Sequence, residues 1–105
     1  MHFFKDLIKK KILFNFVIID GEIYFHITPL FRAWRKICFA RSEKIITTKS
    51  VYDFLKTQPG YKNSMVLKQI RGKYYRCVIF DLKTAPIELL QLMSNMDSKW
   101  LKARG

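Results

Sequence analysis

The sequence predicts a single α+β domain, on three observations. Apolar residues recur at helical spacing in four separate segments, and two short runs rich in Ile, Val, Phe and Tyr flank Asp20-Gly21. A longer run of the same composition carries Arg71-Gly72 near its middle. No linker, repeat or low-complexity stretch divides the 105 residues, half of which are hydrophobic. Nine Phe, five Tyr and two Trp supply enough aromatic area for one compact core.

In chain order, Phe3, Phe4, Leu7, Ile8 and Ile12 at helical spacing predict a first helix over 3–14. Strands follow at 16–19 and 22–26, because Asp-Gly between two β-rich runs favours the left-handed conformations of a type I′ turn. Thr28-Pro29 supplies an N-cap and a first-turn proline for a helix over 29–41, with Leu30, Phe31, Trp34, Ile37 and Cys38 on its apolar face. After Ile45 and Ile46, the capping cluster Thr47-Thr48-Lys49-Ser50 opens a short helix over 48–57, which Pro59-Gly60 stops. Ser64 to Leu82 predicts a hairpin with arms at 65–70 and 74–81 and a tip of Arg71, Gly72 and Lys73. Thr84 and Pro86 then start a last helix reaching Met96, apolar around much of its circumference. It is expected to pack on the domain or on another protein.

Charge carries most of the functional information. Twenty Lys and Arg against eight Asp and Glu give a net +12, an excess that repels itself in the folded state and points to a polyanionic partner. Thirteen of the 20 lie between positions 32 and 83, where only Glu43, Asp53 and Asp81 oppose them. The expected partner is nucleic acid, DNA rather than RNA. Candidate contacts are Arg32, Arg35 and Lys36 on one helix, Lys49, Ser50 and Lys56 on the next, and Lys68, Arg71, Lys73 and Arg76 on the hairpin.

Catalytic parts are sparse, so no enzymatic activity, cofactor or metal is expected. His2 and His26 have no second ligand at metal spacing, and Asp20 and Asp53 are accounted for by a turn and a helix surface. Cys38 and Cys77 stand too far apart for a zinc or redox pair and are expected in the core. No stretch approaches the roughly 20 apolar residues of a membrane span, and the apolar run at the start is too short for a signal peptide. The expectation is a cytoplasmic protein without a membrane partner.

Helix, hairpin, helix, short capped helix, basic-tipped hairpin, helix is the order of a winged helix-turn-helix domain with an additional N-terminal β-hairpin and a C-terminal helix. In such a domain the second helix of the pair enters the major groove and the hairpin contacts phosphates beside it. From Asp20 to Leu82 the chain resembles the C-terminal winged-helix domain of phage and plasmid primase–helicases. The likeness lies in Gly21-Glu22-Ile23-Tyr24, the helices Pro29 to Arg41 and Thr48 to Leu55, and Lys68-Gln69-Ile70-Arg71-Gly72-Lys73-Tyr74-Tyr75-Arg76. The resemblance implies a DNA-binding accessory domain in replication, working with a primase, helicase or polymerase. The sequence has no Gly-x-x-x-x-Gly-Lys-Ser/Thr string, so motor activity is not expected of this chain. Two alternatives stay open: a sequence-specific winged-helix transcription regulator paired through the last helix, and a protein-interaction module such as a phage-encoded inhibitor. The short helix over 48–57, the recognition helix on this reading, carries no Arg or Asn to read bases, which favours binding through phosphates.

Overall fold

A computed structural model describes residues 2–10, 12–41 and 47–95. Four helices and four strands follow in the order α1 (Phe3–Ile8), β1 (Phe16–Ile19), β2 (Glu22–His26), α2 (Thr28–Ala40), α3 (Thr48–Lys56), β3 (Tyr61–Ile70), β4 (Lys73–Asp81) and α4 (Ile87–Ser94). All strand pairs are antiparallel, in the spatial order β1-β2-β4-β3, so β1 and β3 are the edges. The architecture is mixed α+β.

Strand alternation assigns the two faces of the sheet. Phe16, Ile23, Phe25, Val78 and Phe80 point to one side and join the main core, with Phe3, Leu7, Trp34, Leu55, Leu89 and Leu92 from the helices. On the opposite side Val17, Ile70 and Cys77 form a second, smaller cluster, covered in part by Ile19, Tyr24 and Tyr75. Cys38 and Cys77 are both buried, as composition predicts. The thiol of Cys77 is pushed up to about 11, chiefly by burial, and is protonated at neutral pH.

Both hairpins turn through two left-handed residues, a conformation that Asp20-Gly21 favours and that Gly72 eases at the second turn. Asp20 and Gly21 have φ of 51° and 76°, and Arg71 and Gly72 have 53° and 84°, two consecutive left-handed residues in each case. In α3, the Thr47 hydroxyl accepts from the Ser50 amide at 3.2 Å, completing the expected cap.

Three expectations are corrected. The first helix ends at Ile8, not at 14, because Phe14 is pulled into the core beside Phe16, at 5.8 Å, and Phe25. Residues 12–15 belong to neither helix nor strand and lead Phe14 there; Lys11 lies outside the described residues. The Thr28 side chain does not cap α2, which starts one residue early with buried Ile27 in the cap position and Pro29 in its first turn. Finally, β3 begins at Tyr61 instead of 65. Its polar segment Lys62-Asn63-Ser64 lacks strand propensity, but pairing of Tyr61 with Phe80 and Asn63 with Ile79 holds it, and two register shifts absorb the extra residues. Ile45, Ile46 and Met96 lie outside the described residues.

The last helix packs within the domain. Leu89, Leu92 and Met93 are buried, and the Asn95 side chain donates to the Ile8 carbonyl of α1 at 3.4 Å. Before it, the Asp81 carboxylate accepts from the amide and hydroxyl of Thr84 at 3.1 and 2.9 Å. Arg41 ties the end of α2 to α1 through a two-pronged pair with Asp6, at 3.0 and 3.2 Å.

Gly60 brings the start of β3 against the loop that leads to α4. Its φ is 82°, and a Cβ there would stand 2.9 Å from Thr84 Oγ1 and 3.0 Å from the Ala85 nitrogen. At Gly72, with φ of 84°, a Cβ would meet nothing within 4 Å. Gly72→Ala is therefore expected to cost about 1 kcal/mol, the left-handed penalty alone. Gly60→Ala should cost about 1 to 3 kcal/mol more, because overpacking against backbone adds to that penalty. Urea unfolding of the two variants measures the difference; equal losses would contradict the close approach.

Candidate nucleic-acid interface

The ten basic or polar residues picked out by sequence do not share one surface. Strand register decides where those on the hairpin go. Lys68 pairs with Tyr75 and Arg76 with Leu67, so the two side chains project from opposite faces of the same hairpin. They do not straddle one backbone from a common side.

On the face away from the helices, the Lys68 ammonium sits over the Tyr24 ring, 5.0 Å from its centroid. Beside it, the His26 ring lies 4.8 Å from that of Tyr75. Burial first, and then the charge of Arg32, hold the His26 imidazole below its ordinary value, so it is neutral at pH 7. Nδ1 of His26 is buried without a hydrogen-bond partner.

On the helix side, α3 and the hairpin come together. Burial raises the Tyr52 phenol of α3 above its ordinary value, and the charge of Arg76 opposes the shift. Arg71 and Lys73 flank Gly72 at the tip, beyond the last residue of β4 paired with β2, Cys77. Lys56 occupies the last turn of α3, exposed and favourably placed at the negative end of the helix dipole.

The start of α3 is less open than its sequence suggests. The Ser50 amide is taken by Thr47, and the two hydroxyls lie 3.1 Å apart, so Ser50 serves the cap. Lys49 is paired with Asp53 at 3.0 Å, one helical turn on, which offsets its charge locally. On α2, Arg35 lies 5.7 Å from the centroid of the Phe31 ring, and Lys36 is exposed.

The sequence leaves undecided which tyrosines are exposed, and with them the apolar part of this surface. Met65 and Leu67 of β3 and Tyr74 of β4 are 55%, 65% and 69% exposed. The run Met65-Val66-Leu67-Lys68-Gln69-Ile70 is apolar at both alternate sets of positions, so pattern alone could not tell which set faces solvent.

Among the described residues, no group of three or more His, Cys, Asp or Glu could hold a metal, and no helix is long and apolar enough to cross a membrane. Comparison with family models, curated proteins and solved structures finds no match to this chain.

Proposed function

We propose that the chain is a winged-helix nucleic-acid-binding domain without catalytic activity, which grips its polymer mainly through phosphates. Its working place on this reading is DNA replication of a phage or mobile element, as an accessory to a primase, helicase or polymerase in the cytoplasm. The observation that carries the proposal is the position of the β3–β4 hairpin. Its second strand pairs with β2, the strand that leads into the α2–α3 pair, and its tip projects past β2 with Arg71 and Lys73. A strand, two helices and a hairpin returning to that strand is the connectivity a winged helix needs. The commitments of Ser50 to its cap and Lys49 to Asp53 leave few side chains on α3 for reading bases, which supports contact through phosphates over sequence-specific regulation.

The test is Arg71→Ala combined with Lys73→Ala. Arg71 already has a positive φ, so exchanging one Cβ-bearing residue for another adds no turn strain, and Gly72 is retained. The circular-dichroism spectrum should be unchanged. Affinity for nucleic acid should fall alike on unrelated sequences, and the plot of log affinity against log salt should become shallower by about two units, one per lost phosphate contact. Unchanged affinity in a folded variant would reject the hairpin as a binding element.

A further inference from the structure

We infer that the helix-side face of the β3–β4 hairpin is a stacking platform for unpaired bases, with Tyr74 as the ring that receives a base and Leu67 as its flank. The polymer bound is then single-stranded nucleic acid. The inference rests on the nucleic-acid function proposed above and names the substrate class.

Cross-strand pairing sets the geometry. Gln69 lies opposite Tyr74 and Leu67 opposite Arg76, so these four side chains share one face of the hairpin. Tyr74 is 69% exposed and Leu67 65%, and Met65 continues the exposed alternation of β3. The other large exposed apolar residues described, Leu13, Phe39 and Ile87, lie on three separate segments. Single exposed apolar residues are ordinary, whereas a cluster of them on one face marks a binding surface. Tyr74 makes no ring contact among the described residues, unlike Tyr75 against His26 and Tyr61 against Phe80.

Charge complementarity selects the occupant. No Asp or Glu occurs between Asp53 and Asp81, so the charged residues that the hairpin itself brings near the exposed ring are cations, Arg71 and Lys73 at the tip and Arg76 beside Leu67. A positively charged track bordering an aromatic face is the combination that binds single strands, since every base has a π-face and every nucleotide a phosphate. In a duplex the base faces are already covered by stacking, and an exposed tyrosine ring gains nothing there. The Gln69 amide adds one donor and one acceptor group within the same face, suited to the edge of a base stacked on Tyr74.

The experiment compares three labelled probes of equal length by fluorescence anisotropy: oligo-dT, an abasic deoxyribose-phosphate oligomer, and a duplex. Wild-type protein should prefer oligo-dT to the abasic oligomer, which has the same phosphates and no bases. Tyr74→Ala should lose about tenfold on oligo-dT and little on the other two, while Tyr74→Phe, which keeps the ring, should bind oligo-dT like the wild type. Wild-type protein that binds oligo-dT and the abasic oligomer alike, or a Tyr74→Ala loss equal on all three probes, would overturn the platform and leave phosphate binding standing. Failure of the wild type to bind any probe would overturn the nucleic-acid function itself, and assign the exposed apolar face to a protein.

Discussion

Trp34→Ala is expected to cost about 3 to 5 kcal/mol, the range for truncating a large aromatic side chain in a packed core. Trp34 is only 2% exposed, and its ring meets that of Phe3 edge-on with centroids 5.4 Å apart. It lies between Leu30 and Cys38 on the buried face of α2, so its removal opens a cavity between that helix and α1. Small domains have total stabilities of about 5 to 15 kcal/mol, and the variant should therefore be marginal. The indole Nε1 is buried without a hydrogen-bond partner, so the loss is one of packing alone. Trp34→Phe discards that unpaired donor and keeps a ring, and should lose much less. Urea unfolding followed by far-ultraviolet circular dichroism measures both; a Trp34→Ala midpoint near that of wild type would mean that α2 does not hold the core together.

What the sequence made legible was whatever a few adjacent residues decide. Asp20-Gly21 and Gly72 mark the two turns, because left-handed turn positions favour Gly, Asn and Asp, and β1 and β2 match their expected bounds. Thr47 caps α3 through Ser50, an interaction contained within one helical turn. Less legible was anything set by distant partners. Phe14 leaves the helical pattern for contacts with Phe16 and Phe25, and Lys62 to Ser64 join a strand because β4 and two register shifts hold them there. The candidate site divides along the same line. That Arg32, Lys56, Lys73 and Arg76 would be exposed follows from their chemistry, but only register shows that Lys68 and Arg76 lie on opposite faces. The apolar face with Tyr74 was hidden for the same reason, since β3 carries apolar residues on both sides.

The salt dependence of binding tests the central claim, that this domain holds nucleic acid by its phosphates, most directly. Cations reach the surface on three elements: Arg32, Arg35 and Lys36 on α2, Lys56 on α3, and Lys68, Arg71, Lys73 and Arg76 on the hairpin. If about five of these contact phosphates, counterion release gives a slope of log affinity against log salt of roughly −3.5 on single strands or −4.5 on duplex. Between 50 and 200 mM salt the affinity should then fall by about 100- to 500-fold, the same for two oligonucleotides of unrelated sequence. The measurement is a titration of both oligonucleotides at several salt concentrations. Steep and parallel salt dependence is the predicted result; a nearly flat salt response with strong discrimination between the two sequences would contradict it.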